Sequence, residues 1–174
     1  MSLGNTTLDR DQTSVVGDGY AAGEDRPLRG YAALMGVYGA AVAAGVVVLR
    51  RRNRTLADVR LADVALVGVA THKLARRMSK DSVTSPLRAP FTRYEGVAGP
   101  AELQEGARGS GIRKAVGELV SCPFCLSQWV ATGFTFGLIA APRATRWAAS
   151  VFASLALADF LQFAYAWAEQ QAER

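Results

Sequence analysis

Two long stretches of this chain contain no charged side chain, and they constrain its fold more than any other feature. They are residues 31–49 and 119–142. Each is close to the length of about 20 helical residues that crosses the hydrocarbon core of a bilayer. Because a crossing segment must satisfy its backbone hydrogen bonds internally, the sequence predicts transmembrane helices.

The charged residues are concentrated outside these stretches. The chain is 50% apolar with a formal net charge of +5, and the positive excess comes from residues 50–80. A basic block beside an apolar helix is typical of an orientation signal and of contact with anionic lipid headgroups, rather than of nucleic-acid binding. We assign headgroup contact to Arg50, Arg51, Arg52, Arg54, Arg76 and Arg77. With only two cysteines in the chain, a disulfide-rich secreted scaffold is not expected either.

The expected fold class is all-α, an integral membrane bundle of three to four helices with a polar cytoplasmic loop. The predicted segments are a disordered polar leader at 1–27, a transmembrane helix at 28–49, an amphipathic or tilted membrane helix at 55–78, a cytoplasmic loop with a short helix at 79–118, a hairpin of two transmembrane helices at 119–168, and a tail at 169–174. The short connection at Pro142 predicts that the last two spans are antiparallel.

The segment 55–78 leaves the topology in the cell membrane open. Its uncharged centre is short, but flanking lysines and arginines can reach the interface, so a tilted crossing and an interfacial helix both fit. Three spans place the N-terminus outside, whereas four spans place it inside and leave the basic cluster at residues 50–54 outside, against the positive-inside rule. Both arrangements put the 79–118 loop and the C-terminus in the cytoplasm. A third, with four spans and the N-terminus outside, ranks last because it exports the basic loop.

Small residues recur at every fourth position on two of the predicted spans. These stripes are Ala32, Gly36, Ala40 and Ala44 on the first span, and Gly133, Gly137 and Ala141 on the second. Small side chains let helices approach closely in lipid. The stripes therefore predict helix packing, in a homo-oligomer or as a subunit of a membrane complex.

Cys122 and Cys125 form a C-x-x-C pair at the start of a predicted span. With Pro123 at the first helical position, both thiols lie where free backbone N–H groups and the helix dipole stabilise a thiolate. Structural packing thiols, a thiol–disulfide redox pair and half of a metal site all fit this spacing. A zinc site would need further ligands, such as His72, Glu118 or the cysteines of a second subunit.

One acidic residue, Asp159, lies within the last predicted span, with Gln162 about one turn further on. An ionisable group at that depth is costly and calls for a partner, for which we choose Lys73 or His72. An interhelical contact that fixes helix register is favoured over transport or proton relay. The P-loop, nucleophile-elbow and HExxH sequences are missing, so no small-molecule substrate is identified and a non-enzymatic role is favoured.

Three stretches resemble a bacterial membrane-protein family of unknown function that includes a small sporulation-associated membrane protein. They are residues 69–81, 84–91 and 117–129. The most specific element is the string Gly-Glu-Leu-x-Ser-Cys-x-x-Cys-x-x-x-Trp, which ends at Trp129. Family members commonly carry a glycine between the second cysteine and the tryptophan, where this chain has Leu-Ser-Gln. The resemblance covers about residues 61–168. It implies a fold and a membrane location without a reaction, and it makes the 55–78 helix integral to the fold.

The sequence thus predicts a small integral membrane protein with a structural or interaction role, as a scaffold or accessory subunit. The alternative is a membrane thiol–disulfide oxidoreductase that uses the C-x-x-C pair, and the third possibility is a metal-binding membrane module.

Overall fold

The structure is a computed structural model that describes residues 26–53 and 60–173. Nearly all of the predicted polar leader, Arg54 and the predicted start of the 55–78 helix lie outside the described residues.

Helices account for most of the described chain. In chain order the elements are α1 (Leu28–Arg51), α2 (Leu61–Lys80), a 3₁₀ helix (Ser82–Thr84), α3 (Ser85–Arg88), β1 (Thr92–Gly99), β2 (Glu102–Ala107), α4 (Gly111–Ser121), α5 (Pro123–Ala140) and α6 (Pro142–Ala172). Proline occupies the first position of α5 and of α6, where its fixed φ suits a helix start and its missing N–H costs nothing.

Among the described residues, α1, α5 and α6 are long and apolar enough to cross a membrane. In the most apolar 18-residue stretch of each of these helices, only 6%, 17% and 11% of the residues, respectively, are buried inside the protein. Apolar helices that expose so much of their surface would be costly in water, and they suit a protein whose outer surface faces lipid.

The second helix, α2, packs along both α5 and α6, and its buried face forms the apolar core. Val67 and Ala70 of α2 contact Leu138 of α5 and Ala149 of α6. The carboxylate of Asp63 accepts from Arg146 near the start of α6, and Lys73 donates to Asp159 further along both helices. These paired contacts show that α2 and α6 run parallel. Because α5 and α6 form a tight helical hairpin, α2 is antiparallel to α5.

The first helix, α1, lies along α5 in the same direction. Tyr38 Oη and Thr132 Oγ1 are 2.8 Å apart, and Gly45 approaches the ring of Phe136 so closely that an added Cβ would lie 2.7 Å from it. Glycine at this point of α1 therefore permits a close helix contact.

The segment 79–118 was expected to be a loop with one short helix, and it also contains an antiparallel β-hairpin. Strands β1 and β2 pair from Thr92 opposite Ala107 to Gly99 opposite Glu102, with irregular register near Gly96. Gly96 and Gly99 lie at the register irregularities of the hairpin and Pro100 at its turn, where special backbone conformations are needed. The all-α expectation is corrected accordingly: the fold is mostly helical with a small two-stranded sheet.

Candidate functional site

The C-x-x-C pair lies at the junction between α4 and α5. Cys122 has an extended backbone, with φ −101° and ψ 109°. This conformation follows from the proline after it, which disfavours helical geometry in the preceding residue. Cys122 consequently caps α5, and its Sγ accepts a hydrogen bond from the Cys125 backbone N–H at 3.2 Å. Both cysteines are free thiols, Cys122 partly exposed and Cys125 exposed.

The two thiols line a cleft of about 790 Å³ between α1, α4 and α5. The wall is mainly apolar and aromatic, with Leu34, Met35, Tyr38, Leu119 and Trp129 among its members. Its polar groups include the carboxylate of Glu118 and the side-chain amide of Gln128. The cleft thus combines a dithiol, a carboxylate and aromatic rings at the end of a membrane-length helix.

Two contacts hold α1 against this cleft. The hydroxyl of Tyr31 donates to the carboxylate of Glu118. Further along α1, the rings of Tyr38 and Trp129 meet edge to face with their centroids 5.1 Å apart. Edge-to-face contact is a preferred geometry for aromatic pairs.

The cleft gathers the residues of the string that carries the family resemblance. Glu118 at the end of α4, Cys122 at the junction, and Cys125 and Trp129 on one face of α5 all line it. Gly117 contributes to packing instead, because an added Cβ there would lie 2.4 Å from the carbonyl oxygen of Phe91. Glycine at this position therefore lets α4 press against the segment that leads into β1.

His72 does not join the cysteines. It lies in a smaller cleft of about 260 Å³ that Phe124 and Ser127 of α5 also line, and its ring stacks on Phe160 at a centroid distance of 6.5 Å. Within residues 26–53 and 60–173, no group of three or more His, Cys, Asp or Glu side chains is arranged to hold a metal. The described part of the chain therefore does not bring His72 and the two cysteines together as a metal site.

Asp159 of α6 lies beside α2. Lys73 donates to the Asp159 carboxylate, and the side chains are 15% and 43% exposed, respectively. Gln162 is exposed and lies beyond this pair on α6. In lipid such a pair offsets the cost of each charge and fixes the register of the two helices.

A buried ion pair, which sequence reasoning missed, connects the hairpin to α2. Arg88 is 1% exposed, and its guanidinium donates to both carboxylate oxygens of Glu105 at 2.7 and 3.1 Å. Its remaining N–H groups donate to the carbonyls of Met78 and Asp81 and to Thr84 Oγ1. The available signal was the stretch 84–91 of the family resemblance, but nothing in that stretch identifies the glutamate that pairs with its arginine.

The small-residue stripes behave differently on the two helices. Ala32, Gly36, Ala40 and Ala44 of α1 are all exposed, and a Cβ added at Gly36 would meet nothing within 4 Å. On α5, Gly137 lies against Thr145, whereas Gly133 has open space and Ala141 is exposed at the turn.

The predicted headgroup arginines fall at opposite ends of the bundle. Arg50, Arg51 and Arg52 are exposed at the end of α1. Arg76 and Arg77, at the other end, contact carboxylates at 2.8 Å, those of Glu102 and Asp81. These two arginines help attach the hairpin segment to α2.

The fold and the cleft define a mostly helical protein with three membrane-length apolar helices and an accessible dithiol at the start of one of them. Residues 66–165 match the family described as a protein of unknown function, DUF1360, and the chain belongs to this family. The sporulation protein YjcA of Bacillus subtilis (strain 168) is 28% identical over 102 residues, which cover 57% of this chain and 86% of that protein. The resemblance drawn from the sequence is thus confirmed. No solved structure matches the chain.

Proposed function

We propose that this chain is a four-span integral membrane protein of the cell membrane with an interaction role, as a scaffold or accessory subunit. The observation that carries the proposal is the small-residue stripe of α1, which is exposed over its whole length and has no role in packing within the described chain. In lipid, such a surface favours close association with another helix.

The fourth span is α2. It accompanies α5 along its length, from the core around Val67 and Leu138 to the smaller cleft that His72 shares with Phe124. A helix of 20 residues is about 30 Å long, enough to cross the hydrocarbon. Two charged side chains within the length of α2 form ion pairs with side chains of α6. This pairing supports a position of α2 inside the bundle.

Four spans place the start of α1, the segment 79–118 and the C-terminal end of α6 on one side. Contact between Tyr31 and Glu118 supports this arrangement, since it joins the start of α1 to α4. We assign that side to the cytoplasm because it carries more lysine and arginine than the opposite side. Its basic residues are Arg26, Arg29, Arg76, Arg77, Lys80, Arg88, Arg93, Arg108, Arg113 and Lys114, against Arg50, Arg51, Arg52, Arg54, Arg60, Arg143 and Arg146.

The stripe faces away from the side of α1 that packs on the bundle. At 100° per residue, Ala40 lies well over 90° from Tyr38 and Gly45, which contact α5. A partner helix can therefore dock on the stripe without displacing the contacts that Tyr38 and Gly45 make with α5. A second copy of the chain is the partner we propose, with a subunit of a larger complex as the other outcome.

Crosslinking in membranes tests this proposal. Gly36→Cys, in a background with Cys122→Ser and Cys125→Ser, is expected to give a crosslinked dimer or a crosslinked larger complex. Adding Ala40→Ile should reduce the crosslinked fraction severalfold because the larger side chain keeps the partner helix away. Ala41→Ile is the matched control, since Ala41 is exposed on the flank of the same helix. Monomer alone at Gly36→Cys would overturn the proposal.

A second candidate is thiol–disulfide exchange, favoured by the hydrogen bond from the Cys125 N–H to Cys122 Sγ. The contact places both cysteines at the N-terminus of one helix, the arrangement found in C-x-x-C redox pairs. With Cys125→Ser, the Cys122 thiol should be trapped as a mixed disulfide with its partner. A Cys122→Ser, Cys125→Ser protein provides the control, and the lack of any trapped species would count against this function.

A further inference from the structure

The cleft between α1, α4 and α5 lies where α4 ends and the apolar helix α5 begins. Its thiols stand in the first turn of α5, and Trp129 lies less than two turns deeper along the same helix. Leu34 and Met35 of α1 close the opposite wall. An apolar molecule with a flat, polar head suits such a wall, which also includes the charged residues Arg26 and Glu118.

The chemistry inside the cleft is that of a two-electron donor. Cys122 and Cys125 are both reduced, and the N–H contact between them places the two residues in one helical turn. Closing a disulfide between two thiols releases two electrons and two protons. Glu118 lines the same cleft, and its carboxylate accepts a hydrogen bond from the Tyr31 hydroxyl.

We propose that this cleft binds a lipid-soluble quinone, which oxidises the dithiol; this inference rests on the thiol–disulfide function. The two S–H bonds of Cys122 and Cys125 break, and one S–S bond forms between them. The quinone takes up both electrons and both protons and leaves as the hydroquinone.

The remaining wall residues match the quinone class. The edge-to-face pair of Tyr38 and Trp129 presents aromatic surface on which a flat ring can pack. The side-chain amide of Gln128 supplies N–H groups that can donate to a quinone carbonyl. Met35 is 74% exposed at the rim of the cleft, where the isoprenoid tail of a quinone would leave toward lipid.

The test uses the full chain, reduced and held in lipid nanodiscs. A short-chain ubiquinone analogue with every ring carbon substituted serves as the probe, because it does not form thiol adducts at the ring. Disulfide formation is followed by the mass shift on alkylation, and hydroquinone by its absorbance. The rate of oxidation should saturate with quinone concentration, with one hydroquinone formed for each disulfide. Met35→Trp should raise the half-saturating concentration at least about tenfold by filling the rim. Val37→Trp is the matched control, since Val37 is exposed on α1 and does not line the cleft.

A parallel arm with glutathione disulfide separates this inference from the function beneath it. If glutathione disulfide oxidises the pair while the quinone rate stays linear in concentration, or Met35→Trp and Val37→Trp behave alike, the quinone site is overturned and dithiol exchange stands. If neither oxidant produces the Cys122–Cys125 disulfide, both the quinone site and the thiol–disulfide function are overturned.

Discussion

At the residue scale, Arg88 is the most deeply buried charged side chain among the described residues. Its charge is removed from water and compensated by Glu105, with every guanidinium N–H engaged. Removing one partner of a buried ion pair leaves an uncompensated charge, which is more damaging than removing the pair. The Arg88 side chain therefore links the end of α2 to the β-hairpin.

Arg88→Met is expected to lower the free energy of unfolding by about 3–5 kcal/mol, because it leaves the Glu105 carboxylate buried without its cation. Arg93→Met is the control, since Arg93 and Glu95 form an exposed pair worth about 0–1 kcal/mol. Unfolding in detergent, followed by circular dichroism, measures both variants. Adding Glu105→Met to Arg88→Met should restore part of the lost stability. A double variant no more stable than Arg88→Met would contradict the assigned ion pair.

The same glutamate predicts a pH dependence of stability. Burial alone would raise the pKa of Glu105, but the Arg88 guanidinium and the Thr92 hydroxyl outweigh it and hold the pKa below its ordinary value of 4.5. A depressed carboxyl pKa contributes stability above the unfolded-state pKa, and this contribution is lost as the pH falls through the folded-state pKa.

The melting temperature of the wild type should therefore decrease as the pH is lowered from about 6 to about 3.5. Glu105→Gln should be less stable at the upper pH and should show a smaller decrease over the same range. Equal pH dependence in the two proteins would show that another carboxyl group is responsible.

At the element scale, Gly117 decides how closely α4 can lie against the hairpin. Gly117→Ala is expected to cost about 1–3 kcal/mol, because its Cβ would come within 2.4 Å of the Phe91 carbonyl oxygen and neither backbone can move freely. Gly68→Ala is the matched control: it is also helical, has open space, and should be neutral or slightly stabilising. Unfolding measured side by side distinguishes the two, and similar effects would contradict the close contact.

The elements differ in how well each can be predicted from its own sequence. The spans are evident from local composition, since crossing a bilayer depends on length and hydropathy within one segment. The β-hairpin is not evident, because Gly96, Gly99 and Pro100 are equally typical of a flexible linker. Its strands depend on their pairing with each other and on the ion pair of Arg88 with Glu105, and neither contact is apparent from the composition of the segment.

The candidate site shows the same division. The helix-capping position of Cys122 could be predicted from the proline that follows it, because both effects are local. The cleft could not be predicted, since it requires α1 to lie against α4 and α5 through Tyr31 and Tyr38. The contact between Lys73 and Asp159 was anticipated only as one of two choices, because the cost of a charge in lipid demands a partner without specifying it.

At the scale of the whole molecule, the antiparallel course of α2 and α5 predicts four crossings. Single cysteines at Asn53 and at Ser110, in a background with both native cysteines replaced by serine, should be labelled from opposite sides of the membrane. Ala172→Cys should be labelled from the same side as Ser110→Cys, since both lie at the same end of the bundle. A membrane-impermeant maleimide provides the measurement in intact cells and in inverted vesicles. Labelling of Asn53→Cys and Ser110→Cys from the same side would show that α2 does not cross.

The sequence by itself determined the membrane-length helices and the family, because apolar length and short motifs are properties of contiguous residues. Only the tertiary structure decided which faces those helices use. It placed α2 between α5 and α6, left the α1 stripe exposed, separated His72 from the thiols and built a cleft around Cys122 and Cys125. These outcomes depend on contacts between side chains that are far apart in the sequence. Several residues could form each contact, and no local sequence pattern shows which of them does.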